Sequence, residues 1–71
     1  MTLDRRRLAH TIARLRYDAG LTQQQLADRA RISRSTFAHV ERGRWLPDLC
    51  TAVAIADALC ITVDTLIEEA R

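Results

Sequence analysis

Three times along this chain an apolar residue stands directly before a Ser or Thr, and a second apolar residue follows four positions after the hydroxyl. The sets are Leu21-Thr22 with Leu26, Ile32-Ser33 with Phe37, and Ile61-Thr62 with Leu66. This is the pattern of a helix start: the hydroxyl caps the free N–H groups of the first turn, and the two apolar residues staple the incoming chain. Gln25, three residues after Thr22, completes a capping box. Starts this closely spaced permit only short helices joined by tight turns.

The remaining boundaries follow from apolar spacing and stop signals. A first helix is expected from about Asp4 to Ala19, with Leu8, Ile12, Leu15 and Ala19 on one face and Gly20 as its stop. The second ends near Ala30, with only Arg31 and Ile32 between it and the Ser33 cap. The third runs to Arg42, where Gly43 ends it. Pro47-Asp48 opens a fourth, to about Leu59, with Leu49, Ala52, Val53, Ala56 and Leu59 turned inward. Thr62 caps a short fifth, with Asp64 in the first turn where the helix dipole favours it. No stretch alternates in the strand manner. The expectation is an all-α, compact five-helix domain.

With 71 residues the chain is expected to form a single domain, 1–71. A domain of that size hides roughly 60% of its unfolded surface, too little for a deep, dry catalytic pocket. No Ser–His–Asp, Cys–His or paired-carboxylate arrangement occurs, so no enzyme is expected. The length also argues against a fused sensor domain, and no small-molecule ligand or cofactor is implied. Charge in Met1-Thr2-Leu3-Asp4-Arg5-Arg6-Arg7 argues against a signal peptide, and no run reaches the ~20 apolar residues of a membrane span. A soluble, cytoplasmic protein is expected, without membrane contact. Cys50 and Cys60 bracket a helix ~15 Å long, beyond the ~7 Å reach of a disulfide. Cys50, Cys60, His10 and His39 lack paired-ligand spacing, so no metal is expected.

The net charge of +2 conceals a division. Residues 1–44 carry ten arginines against four acids, giving +6, whereas residues 45–71 carry one arginine against five, giving −4. Such asymmetry points to a polyanion facing the first part. All eleven basic residues are Arg, which suits forked contacts to phosphate or guanine. The third helix has the matching chemistry. At 100° per residue, Arg34, Ala38, Arg42, Ser35 and His39 share an arc of about 140°, while Phe37 and Val40 fall opposite. A helix with small and hydrogen-bonding side chains on one arc can lie in a major groove and reach base edges.

The segments Leu21-Thr22-Gln23-Gln24-Gln25-Leu26-Ala27, Ile32-Ser33-Arg34-Ser35-Thr36-Phe37 and Val40-Glu41-Arg42-Gly43 resemble the helix-turn-helix of the XRE family. That class includes phage Cro and repressor proteins and small controller proteins of restriction–modification systems. The resemblance extends through Pro47-Asp48-Leu49, Ile55-Ala56-Asp57-Ala58-Leu59 and Val63-Asp64-Thr65-Leu66-Ile67. It implies a lambda-repressor-like fold with the motif at about 22–42, its second and third helices forming the helix-turn-helix. By the same resemblance, Arg34, Ser35 and His39 read base edges, with Thr36 and Ala38 beside them. Gln23, Arg42 and Arg44 match positions that hold the DNA backbone, and Arg16 and Glu41 match an internal ion pair. Arg31 and Cys60 stand where the family carries turn glycines. If they keep a left-handed backbone, each costs roughly 1 kcal/mol.

Arg5, Arg6 and Arg7 form a dense charge run, read either as a solvated face or as a grip on phosphates. His10 is expected at the surface, and Tyr17 is expected to lay its ring on the first helix. One helix-turn-helix reads few base pairs, so a homodimer on two half-sites about one helical turn (~34 Å) apart is expected. Trp45, Leu46, Cys50 and Ala54 are the candidate interface, unless Trp45 folds back over the core. The implied function is sequence-specific binding of double-stranded DNA at a pseudo-palindromic operator, with residues 33–42 as the recognition helix, in a transcriptional regulator. The alternative is an antitoxin-type or protein-interaction module whose main partner is another protein.

Overall fold

A computed structural model describes residues 3–71; Met1 and Thr2, the first residues of the expected domain, lie outside the described residues. The elements are α1 (Arg5–Asp18), α2 (Gln23–Ala30), α3 (Arg34–Glu41), α4 (Leu49–Ala58) and α5 (Val63–Ala70). Each starts on a side-chain cap: Asp4, Thr22, Ser33, Asp48 and Thr62 each accept a backbone N–H of the first turn. At α2 the box closes, with the Thr22 N–H donating to Gln25 Oε1 at 2.8 Å. At α4 the Thr51 N–H and hydroxyl hold the exposed Asp48 carboxyl below its ordinary 3.8.

The helix ends are as regular as the starts. One or two residues after each of the first four helices the backbone turns left-handed: Gly20 (φ 72°), Arg31 (φ 58°), Gly43 (φ 72°) and Cys60 (φ 61°). Beyond each, an N–H reaches back to a carbonyl five residues earlier: Leu21 to Arg16, Ile32 to Ala27, Arg44 to His39 and Ile61 to Ala56, all at 3.0–3.1 Å. These are Schellman closures, which satisfy carbonyls that the helix itself leaves free. In three turns the apolar residue that closes one helix, Leu21, Ile32 or Ile61, is also the staple residue of the next. One side chain thereby fixes two helix ends, so the link from α2 to α3 has no slack.

The core is built on Phe37, Ile12, Leu26, Ile55, Leu66 and Val40, all under 2% exposed. Around it α2 packs on α4, while α1 packs on α5 and α3. Arg14 of α1 donates to Glu69 of α5 at 2.6 Å, an exposed tie. The whole spans 31 × 22 × 20 Å. Among the described residues no single helix is long and apolar enough to cross a membrane.

Several sequence expectations are corrected. Leu49 is 73% and Val53 38% exposed, so neither faces inward as expected; α4 buries Ala56, as expected, together with Ile55 and Ala58. In α4 only Thr51 and Asp57 are polar, so apolar spacing did not single out one face. Ala54, expected to face outward, is partly buried against the core. Ala19 is exposed because the chain has already turned away toward Gly20. Tyr17 is 79% exposed, so its ring stands in solvent and does not lie on α1. Arg42 caps α3 from outside its last turn. His10 is exposed, as expected.

Because Arg31 and Cys60 keep left-handed backbones with a Cβ present, each replacement by Gly relieves strain. Arg31→Gly should stabilise the fold by up to about 1 kcal/mol, raising the melting temperature by roughly 4–8 °C. Thermal unfolding followed by circular dichroism checks this, and a lowered melting temperature would refute the strain.

Candidate nucleic-acid interface

The placement of α3 begins with an ion pair. Arg16 Nε and Nη2 donate to Glu41 Oε2 and Oε1, both at 2.9 Å, in a two-pronged geometry. Side-chain exposure is 15% for Arg16 and 8% for Glu41, so both charges are largely removed from water. Burial of that kind is tolerable only when the remaining donors and acceptors are satisfied. Arg16 Nη1 donates to the Leu21 carbonyl at 2.8 Å, and the Gln23 amide donates to Glu41 Oε1 at 3.0 Å. The cluster joins the end of α1, the turn after it, the start of α2 and the end of α3.

With that anchor in place, α3 sinks Phe37 and Val40 completely into the core. The arc away from the core carries Arg34, Ser35 and Arg42, all exposed, and Thr36, Ala38 and His39, all half-buried. Ser33 holds Thr36 in place, accepting its N–H at 3.0 Å and donating to its hydroxyl at 2.8 Å. Thr36 is therefore partly committed within the protein. The His39 ring lies against Trp45, with centroids 4.6 Å apart and planes tilted by 31°.

Two arginine-bearing grooves flank the arc. One is lined by Tyr17, Thr22, Gln23, Gln24 and Arg34 at the start of α2, where first-turn N–H groups lack helical acceptors. The other is lined by Arg5, Arg6, Arg7, Arg44, Trp45 and Leu46. Arg5 is less available than its sequence position suggested, since its Nε donates to the Gly43 carbonyl at 2.9 Å and clamps α1 to the end of α3. Gln23 likewise spends one amide hydrogen on Glu41. Sequence reasoning missed Tyr17 and Gln24 in the first groove; the available signal was an aromatic ring on the polar side of the last turn of α1.

Of the four residues expected at an interface, Trp45 and Leu46 line one groove and, like Cys50, are exposed, whereas Ala54 packs partly buried against the core. A separate apolar groove runs between α1, α4 and α5, lined by Leu8, Leu46, Leu49, Ala52, Val63 and Ile67 among others. Val53 stands exposed on the same helix as Leu49. Both cysteines are free. No cluster of three or more His, Cys, Asp or Glu able to hold a metal occurs among the described residues.

Five capped helices, a three-residue link between α2 and α3, and a polar arc on α3 together define a helix-turn-helix domain of the XRE/Cro type. The chain belongs to the helix-turn-helix domain family, which it matches over residues 7–70. It is 45% identical over 58 residues to an immunity repressor protein of Bacillus phage phi105, a match covering 82% of this chain and 40% of that protein. The match thus spans two fifths of the repressor's length. Among solved structures it is similar to the clp gene regulator ClgR of C. glutamicum, with TM-score 0.86, 28% identity and coverage of 99% and 91% of the two chains. It is also similar to the restriction-modification controller protein C.AhdI of Aeromonas hydrophila, with TM-score 0.85, 31% identity and coverage of 92% and 98%.

Removing Glu41 alone leaves Arg16 buried without its counter-charge. Glu41→Leu should destabilise the fold by about 3–5 kcal/mol, and adding Arg16→Met should recover most of that loss. Chemical denaturation of the two variants checks this. A loss no smaller in the double variant would mean that lost packing, not the stranded charge, carries the effect.

Proposed function

We propose that this chain is a sequence-specific double-stranded DNA-binding transcriptional regulator that acts as a homodimer on a pseudo-palindromic operator. Residues 1–71 serve as one DNA-binding domain, and residues 33–42 enter the major groove. The observation that carries this reading is the division of α3: Phe37 and Val40 are buried, and every side chain of the opposite arc can donate, accept or approach closely. Arg34 forks onto guanine, Ser35 and His39 reach base acceptors, and Ala38 lies against a thymine methyl, with Thr36 beside them.

Backbone contacts come from both flanks. At one side the start of α2 faces a phosphate with its free N–H groups, the second amide hydrogen of Gln23, and the exposed phenol of Tyr17. At the other, Arg42 and Arg44 hold the strand after the recognition helix, with Arg6 and Arg7 as an outer grip. Arg5 serves the fold first, through Gly43. These contacts supply affinity and salt sensitivity, and the arc of α3 supplies selectivity.

A second copy covers the apolar groove. Leu46, Leu49 and Val53 are 46%, 73% and 38% exposed, a large apolar outlay for so small a surface. Cys50 borders them, whereas Ala54 and Trp45 are engaged elsewhere. The arrangement also suits the charge division, because the acidic half lies in the sequence that supplies the interface and the basic half in that which meets DNA. The phage repressor, the clp gene regulator and the restriction–modification controller protein are regulators by name, which supports the same reading.

Selection from a randomised 30-base-pair duplex pool at ~150 mM salt tests it. Two inverted half-sites about one helical turn apart are expected; weak, steeply salt-dependent retention without a motif would overturn specific binding. Arg34→Ala should cost ~1–3 kcal/mol and relax preference at one base pair per half-site. Uniform weakening on all sequences would make Arg34 a backbone contact. Leu49→Asp should yield a folded monomer in sedimentation equilibrium, and an unchanged dimer would place the interface elsewhere.

A further inference from the structure

The ring of His39 is held in an unusual way. Its Nδ1 is sealed from solvent and bonds to nothing among the described residues, which leaves Nε2 as the open nitrogen. The indole of Trp45 lies against this ring, at a centroid distance of 4.6 Å, within the range of favourable aromatic pairs. Trp45 does not reach this position by chance of a loose loop. The left-handed Gly43 turns the chain, the Arg44 N–H bonds the carbonyl of His39 itself at 3.1 Å, and Arg5 Nε clamps the Gly43 carbonyl at 2.9 Å. A Cβ at Gly43 would already meet Arg6 Cα at 3.5 Å, so α1 packs closely behind the turn.

A neutral imidazole carries one N–H and one bare nitrogen. A proton on the sealed Nδ1 would be a buried donor without an acceptor, and native structures avoid orphaned N–H groups more strictly than orphaned lone pairs. The proton therefore belongs on Nε2. We propose that Trp45 is a positioning residue for specificity: by sealing Nδ1 it fixes His39 as an Nε2–H donor facing the base edges. This deepens the DNA-binding reading and rests on it.

A donor fixed in this way has defined preferences in the major groove. Guanine N7 and O6, adenine N7 and thymine O4 accept; cytosine offers only its amino donor at that edge. The base opposite His39 is therefore selected against cytosine. Without Trp45, Nδ1 is hydrated, the ring turns, and either nitrogen can carry the proton.

Two measurements test this. Long-range ¹H–¹⁵N spectra of the free protein should show the Nε2–H form of His39 in the native chain and in Trp45→Phe, and a mixture of forms in Trp45→Ala. Selection from the randomised duplex pool should show Trp45→Ala losing discrimination roughly ten-fold at one base pair per half-site, with Trp45→Phe retaining it. Circular dichroism and sedimentation should show Trp45→Ala folded and dimeric. An Nδ1–H form in the native chain, or a native-like motif from Trp45→Ala, would overturn the proposal while leaving DNA binding intact. A monomeric Trp45→Ala would overturn it in favour of an interface role. No motif from the native chain would overturn the base contact and the reading beneath it together.

Discussion

The orientation of α3 depends on one buried charge pair. Arg16 and Glu41 come from helices whose other packing is mostly through apolar side chains, which slide at little cost. A forked guanidinium–carboxylate contact does not slide, because both prongs must be satisfied at once. The cost of taking two charges from water is offset only by the whole cluster, including the Leu21 carbonyl and the Gln23 amide. The same cluster therefore positions the start of α2 and the end of α3 relative to each other. Those are the two elements that a duplex would meet simultaneously.

The rest of the geometry is carried by helix ends. A chain of 71 residues has little core to spare, and among the described residues its largest sealed side chains are Phe37, Ile12, Leu26, Ile55, Leu66 and Val40. Its helices are eight to fourteen residues long, mostly too short to persist alone. Capping at every start and Schellman closure at four ends compensate by satisfying backbone groups that a longer helix would satisfy internally. The use of Arg31 and Cys60 in left-handed positions shows that the geometry persists even where the residue opposes it.

Much of this was legible in the sequence, for reasons that vary by residue. Caps and staples are local, so Thr22, Ser33 and Thr62 announced their helices directly. The Arg16–Glu41 contact, by contrast, spans twenty-five residues and came only from resemblance to a family. The inward face of α4 was misread because hydrophobic periodicity carries no information when nearly every residue is apolar. Arg5 and Gln23 looked free because a sequence does not show which carbonyl or carboxylate will stand within reach. Trp45 was expected at an interface, as a bulky apolar residue in a loop, unless it folded back over the core. Its contact with His39 depends on the turn at Gly43, whose direction only the folded chain reveals.

The shared turn residues have an evolutionary consequence. Ile32 closes α2 and staples α3 in the same stroke, so an inserted residue there would rotate α3 by about 100° and expel Phe37 from the core. Length changes at this joint are closed to the protein. Substitution on the outer arc is not, since those side chains contribute little to the core. Such a scaffold can change its outer chemistry one residue at a time, at Arg34, Ser35 or His39, while the frame that presents those side chains stays fixed.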